Sequence, residues 1–178
     1  MESWQDVLTI DPESVTKSFS KGITIQRKGQ SHLKTFFVKK GLLRSYIIDS
    51  KGKEHIFMFA PEGWIIADVE SLEFSQPTKL FIDCLENSEV IIFNRNRLIN
   101  GDFDKNLINR NFKLLYRRMG MLQQRILMQM SAPASDRYHY FLETYPQLPN
   151  RVPQHMIASY LGITPQALST LRSRLRNQ

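Results

Sequence analysis

Between Phe103 and Met130 the apolar residues Ile108, Phe112, Leu115, Met119, Leu122 and Ile126 recur at alternating spacings of four and three. That rhythm holds one narrow stripe on one side of a helix, and such a stripe is buried best against the same stripe of a second chain. The segment therefore reads as the seam of a parallel homodimer. A long helix lying on its own domain is the competing reading, and Leu107, Leu114, Met121 and Met128 widen the apolar surface enough to serve two partners. Both contacts are expected. Gly120, which costs roughly 1 kcal/mol in a helix interior, falls off the seam.

Charge divides the chain at the same place. Residues 1–103 carry 13 basic and 14 acidic side chains, whereas residues 104–178 carry 11 and 3. A neutral first part joined to a strongly basic second part points to a polyanion partner, either nucleic acid or an anionic membrane. The 178 residues suit a domain of about 100 residues with a smaller module after it. The lone Cys84 sits in the apolar run Leu80, Phe81, Ile82, Asp83, Cys84 and Leu85. It excludes an intrachain disulfide framework or a four-cysteine iron–sulfur cluster and reads as a buried thiol. The first residues lack the order of a signal peptide, and no apolar run reaches the roughly 18 residues of a membrane span. A soluble cytoplasmic protein with no membrane partner is expected.

Residues 1–20 read as helical pieces, with Trp4, Val7 and Leu8 on one face and Asp11-Pro12-Glu13 as a cap, a first-turn proline and an acid. From Gly22 the texture becomes strand and turn. Glycines at 22, 29, 41, 52 and 63 punctuate the runs Ile23–Arg27, Thr35–Lys39, Leu42–Ile48, Glu54–Ala60, Lys79–Leu85 and Glu89–Phe93. Six or more short strands make a sandwich or barrel. Asp49-Ser50-Lys51-Gly52-Lys53 is a hairpin turn. Between Gly63 and Lys79 the strand pattern lapses, with Val69, Leu72 and Glu73 as a short helical turn; a ligand site and a plain connection both fit that lapse. After the long helix, Ser131-Ala132-Pro133 stops it and starts another with Tyr138, Phe141 and Leu142 on its face, and Pro146, Pro149 and Pro153 stiffen a connector.

Residues 154–176 carry the most specific pattern. Two helices that cross tightly need a small contact residue, a turn residue tolerant of positive φ and apolar side chains in the wedge. Ala158 is the contact, Gly162 the turn, and Ile157, Leu161, Ile163, Leu168 and Leu171 fill the wedge. Thr164 then caps the second helix and Pro165 takes its first position. With Leu168, Leu171 and Leu175 buried, Gln166, Ser169, Thr170 and Ser173 face outward, flanked by Arg172, Arg174 and Arg176. Gln166, Ser169 and Thr170 are placed to approach base edges, while the arginines and the Thr164 hydroxyl hold phosphates. An ordinary helical hairpin with solvated arginines and a membrane-binding helix are the competing readings. The first must explain a seven-position match, and the second an outward face of small polar groups.

With these residues in place the chain resembles the Crp/Fnr family of bacterial transcription regulators over nearly its whole length. The resemblance is carried by Lys40-Gly41-Leu42-Leu43-Arg44, by Asp49 to Glu54, and above all by Arg151-Val152-Pro153-Gln154 through Ile157-Ala158-Ser159-Tyr160-Leu161-Gly162-Ile163-Thr164-Pro165. It implies an α+β chain: an N-terminal β jelly roll, or double-stranded β-helix, of cyclic-nucleotide-binding type over residues 1–102, a dimerisation helix over 103–130, and a helix-turn-helix over 131–178. The family's wing is expected to be missing or truncated, since little sequence follows Arg176.

Where members bind a cyclic nucleotide, the loop after a glycine like Gly63 supplies a glutamate, an arginine and a serine or threonine. The matching positions here are Asp68, Thr78 and Lys79. The shorter carboxylate and the missing guanidinium remove the two-pronged phosphate clamp, so cyclic AMP is not expected. The effector stays unidentified and no cofactor is assigned. Members that read guanine-rich half-sites carry a basic residue, a glutamate and an arginine at the positions of Pro165, Gln166 and Thr170; that set is absent, so a different operator is expected, with Gln166 suited to adenine.

The expected function is a homodimeric regulator reading a palindromic operator on double-stranded DNA, controlled through its β-domain, with RNA polymerase and a small effector as further candidate partners. A ligand-binding module whose basic tail contacts a protein is the alternative. An enzyme is not expected: His32, His55, His139 and His155 show no pairing with carboxylates that would hold a catalytic metal, and no metal site is assigned.

Overall fold

The computed structural model of the protein describes residues 11–31, 34–94 and 105–176, with the side chains of Leu107, Arg110 and Arg176 excepted. The chain divides into two compact units, one of residues 1–53 and 57–114, the other of residues 54–56 and 115–178.

The strands are β1 (Val15–Phe19), β2 (Thr24–Gln26), β3 (Thr35–Lys40), β4 (Leu43–Ile48), β5 (Glu54–Ala60), β6 (Ile65–Ile66), β7 (Phe81–Cys84) and β8 (Ser88–Phe93), with the short helix α1 (Val69–Phe74) before β7; all belong to the first unit except the opening residues 54–56 of β5. They form two four-stranded sheets ordered β1-β8-β3-β6 and β2-β7-β4-β5. Strand alternation decides what each sheet turns inward. Phe36, Val38, Ile66 and Val90 of the first sheet meet Leu43, Ala60, Ile82 and Cys84 of the second in one buried cluster. The fold is thus α+β with antiparallel sheets, and β5 starts and stops where its sequence run does.

Two strands depart from expectation. The stretch after Asp11 is a turn and then a strand, not a helix. Asp11 Oδ1 accepts from Glu13 N at 3.2 Å and Oδ2 from Asn94 N at 2.8 Å, and the following Val15 and Thr16, both β-branched, lie in register with Ile92 and Ile91 of β8. Acid and proline serve a turn as well as a helix start, and pairing with β8 decides between them. The helix expected from Trp4, Val7 and Leu8 lies outside the described residues. The second departure is β6, whose two residues pair with Phe36 and Phe37.

Cys84 is a free, buried thiol. Burial, with the charge of Asp83 beside it, raises its pKa to about 11 against a bond from Ser88. On the opposite face of the same strands, Arg44 and Asp83 stand in register and pair through two bonds of 2.8 and 2.9 Å, almost shielded from solvent. The Arg44 guanidinium lies 4.1 Å from the centroid of Tyr46, which stacks on Phe81. Gly41, at φ +95°, passes so near β8 that a Cβ there would lie 2.7 Å from the Asn87 carbonyl oxygen.

The long helix α2 (Lys105–Ser131) runs for 27 residues. Its side chains sort into two heptad stripes. Ile108, Phe112, Leu115, Met119, Leu122 and Ile126 are between 42 % and 58 % exposed, whereas Asn111, Leu114, Arg118, Met121, Arg125 and Met128 are half-buried. Both stripes repeat every seven residues, so each keeps to one side of the helix.

Candidate nucleic-acid interface

The second unit continues with α3 (Ala134–Thr144), a 3₁₀ turn (Leu148–Asn150), α4 (Gln154–Leu161) and α5 (Pro165–Arg176). Pro133 and Pro153 stand at the N-cap positions of α3 and α4, one residue before the first helical turn; Pro165 opens α5 as its missing N–H allows. Between α4 and α5, Gly162 takes φ +69° and caps α4 by donating its N–H to Ser159 O. Ile163 N then bonds to Ala158 O at 3.0 Å, closing the tight turn. A Cβ on Gly162 would also come within 2.9 Å of Gln129 Oε1. Ala158, Ile157, Leu161 and Leu168 are all buried where the two helices meet.

Under that wedge lies an aromatic cluster of Tyr138, Phe141, Tyr145 and Tyr160, with ring centroids 5.5 to 6.3 Å apart. The α2 helix grips it through Arg125 of its half-buried stripe and through the exposed Gln129. Arg125 lies 3.9 Å from the Tyr160 centroid and donates to Tyr160 O at 3.2 Å, as does Gln129, whose own oxygen accepts from Arg137. Burial raises the Tyr160 pKa, with Arg125 acting against the rise. Burial likewise lowers that of Arg118, with Tyr145 opposing. Sequence reading assigned no role to Arg118 and Arg125. Their signal was the seven-residue spacing itself, hidden because the stripe alternates arginine with methionine and leucine.

With the inner side of α5 closed by Leu168 and, in part, Leu171 and Leu175, the outward side carries Pro165, Gln166, Ala167, Ser169, Thr170, Ser173 and Arg174 in exposed positions. Arg172 is half-buried, and the side chain of Arg176 is outside the described residues. Thr164 Oγ1 accepts from Ala167 N at 3.1 Å, capping the helix as its sequence demands and leaving the hydroxyl proton to donate outward. Thr170 Oγ1 donates back to Gln166 O at 3.1 Å. Ala167, exposed on the same helix, carries no polar side-chain group, and its pattern in sequence is that of helix filler. The arrangement offers small polar groups and methyls along the helix front and guanidinium at its flank, the division of labour between base edges and phosphates.

The four effector-site candidates of the first unit behave differently. Asp68 caps α1, its oxygens accepting from Ser71 N at 3.1 Å, Ser71 Oγ at 2.9 Å and Thr78 Oγ1 at 2.6 Å. Thr78 in turn accepts from Gln26 Nε2 at 3.2 Å and Leu80 N at 3.0 Å. Burial works against the charge of Asp68, but the bonds from Thr78 and Ser71 outweigh it and hold the carboxyl below its ordinary range. Lys79 lies at the surface, 2.9 Å from Glu70, and Gly63 N bonds to Val38 O. So Asp68 and Thr78 are brought together with the backbone N–H of Lys79, while the Lys79 ammonium is taken up by Glu70. Two further polar groups went unforeseen. Gln26 and Ser45, 2 % and 1 % exposed, flank Ile82 on one rung of the sheet, and neither Gln26 Oε1 nor Ser45 Oγ finds a partner among the described residues. Among the described residues no cluster of histidine, cysteine and carboxylate could hold a metal, and no helix is long and apolar enough to cross a membrane.

No family profile and no curated protein matches this sequence. Solved structures do match the fold. FixK2 from Bradyrhizobium japonicum is similar at 19 % identity and a TM-score of 0.74, over 93 % of this chain and 85 % of that one. A CRP/FNR-family transcriptional regulator from Thermus thermophilus is similar at 16 % identity and 0.70, over 92 % and 86 %. The c-di-GMP responsive global regulator CLP of Xanthomonas campestris is similar at 13 % identity and 0.69, over 98 % and 92 %. At these identities the likeness establishes a shared fold.

Proposed function

We propose that the protein is a sequence-specific DNA-binding transcription regulator of Crp/Fnr type, acting in the cytoplasm as a homodimer on a palindromic operator. The observation that carries this reading is the front of α5, where Gln166, Ser169, Thr170 and Ser173 stand exposed on a helix whose other side is closed. A helix so presented fits a major groove, and two of them about 34 Å apart read two half-sites. The likeness to transcription regulators in fold supports the assignment. The exposed stripe from Ile108 to Ile126 is the surface on which a second copy would close. Glutamate at Leu122 would then leave a folded monomer, measured by light scattering, that binds DNA with half-site affinity.

In this reading residues 1–102 form a jelly-roll sensor, residues 103–130 the dimerisation helix and residues 131–178 the reader, with RNA polymerase as the transcriptional partner. The effector of the sensor is not cyclic AMP. Acceptor groups, namely the Asp68 carboxylate and Gln26 Oε1, gather where a cyclic phosphate would need donors, and Lys79 is engaged with Glu70. Capture of fragmented genomic DNA by the purified protein, with sequencing of what is retained, tests the function. A palindromic motif is expected, with log K falling steeply against log salt. Retention of random fragments without any motif would instead favour a module whose basic tail contacts a protein.

A further inference from the structure

The chemistry of the α5 front narrows what base it can select, and this step rests on the DNA-binding reading above. Threonine in a major groove has two faces, a hydroxyl that donates or accepts and a methyl. In this chain the Thr170 hydroxyl proton is committed to the Gln166 carbonyl one turn back, at 3.1 Å. That leaves the methyl and the oxygen lone pairs to face outward. Ala167, three residues earlier and therefore an immediate neighbour on the same side of the helix, exposes a second methyl, and its N–H is committed to Thr164 Oγ1. Between Gln166 and Ser173 the front of the helix thus presents two methyls in sequence.

Guanine shows two acceptors in the major groove and is read by donors, which neither residue supplies. Thymine alone presents an apolar group there, its C5 methyl. We propose that Ala167 and Thr170 form a methyl-reading pair that selects one thymine in each half-site, beside the base pair read by Gln166. The committed hydroxyl is a positioning device: the back-bond fixes the side-chain rotamer and so sets which way the methyl points.

The experiment replaces each thymine of the selected operator in turn by uracil, which removes the C5 methyl and nothing else. For the wild-type protein one position per half-site is expected to lose affinity by about fourfold, the worth of one buried methyl, and roughly fifteenfold when both half-sites are changed. Thr170→Ser keeps the hydroxyl and loses one methyl of the pair, so its preference for the thymine over the uracil operator at that position should be smaller than that of the wild type. Thr170→Val keeps the methyl and loses the hydroxyl, and β-branching alone holds valine to one main rotamer in a helix, so it should retain the thymine preference. Thermal melts establish that both variants are folded. A defined operator at which uracil serves as well as thymine everywhere would overturn the inference alone, as would a Thr170→Val protein that no longer prefers thymine. Failure to select any operator would overturn the regulator reading and this inference with it.

Discussion

Around α1 the carboxylate of Asp68 accepts from three donors and Thr78 is bonded on from Gln26, whereas along α5 the side chains of Gln166, Ser169, Ser173 and Arg174 stand exposed. Both regions are rich in the residue types from which binding sites are made. In the first region Asp68, Ser71 and Thr78 satisfy one another, and in the second the polar groups face solvent. The difference teaches that residue type names a candidate while the partner of each polar atom decides its use. Groups already bonded inside a domain contribute to stability, because leaving any of them unmade is costly. Groups displayed on a rigid helix contribute little to stability and are available to a ligand. Substitutions should therefore separate cleanly: the buried networks should change unfolding and leave DNA affinity per folded molecule alone, and the α5 front should do the reverse.

The largest effect is expected at the other enclosed pair. Asp83→Ala would take from the Arg44 guanidinium the carboxylate that now holds it at 2.8 and 2.9 Å, and breaking such a pair costs about 3–5 kcal/mol. Urea unfolding followed by tryptophan fluorescence measures it. Replacing both partners, as Arg44→Met with Asp83→Leu, should recover most of the loss, since the pair itself repays little of its desolvation. A cost below about 1 kcal/mol for Asp83→Ala would mean that the guanidinium finds solvent or another acceptor.

A smaller effect belongs to Asp68→Asn, which keeps shape and removes charge from a group surrounded by donors; about 1–3 kcal/mol is expected at neutral pH. The effect should carry a pH signature. Because the folded carboxyl lies below the unfolded value of 3.8, its contribution is whole above that value and is lost as pH falls through the folded one. Urea midpoints of wild type and variant should therefore converge on acidification below the unfolded value. Equal separation throughout would show that the lost stability came from geometry rather than charge.

The same contrast explains what could be read from sequence. The cap at Thr164, the first-turn proline at 165, the turn at Gly162 and the wedge from Ile157 to Leu168 are local, each set by residues within a few positions, and each is found where the pattern put it. The fate of Asp68 depends on Thr78 ten residues on, and that of Arg44 on Asp83 thirty-nine residues on. No local pattern announces such bonds, because strand pairing creates them. The β1 strand was obscured for a related reason: Asp11-Pro12-Glu13 is compatible with two local structures, and pairing with β8 selects one. On α2 the exposed stripe was legible as an apolar repeat, while the second stripe, with Arg118 and Arg125 turned toward tyrosines, looks from sequence like the solvated side of the same helix.

The smallest effect on stability and the sharpest on binding is expected at Arg174, which is exposed at the flank of the α5 front. Arg174→Ala should leave the unfolding midpoint within about 0.5 kcal/mol of wild type, since it removes no packed group. If the guanidinium holds a phosphate, each subunit of the dimer neutralises one charge fewer, and the slope of log K against log salt should become shallower by roughly 1.8, about 0.9 for each lost contact. A phosphate contact carries no base information, so affinity should fall alike on the selected operator and on operators altered at single positions. Thr170→Ser offers the opposite signature, a changed ranking of sequences at an unchanged salt slope. Were Arg174→Ala to alter the ranking instead, the arginine would be reading a base edge, and the division of α5 into a selecting front and a holding flank would have to be redrawn around it.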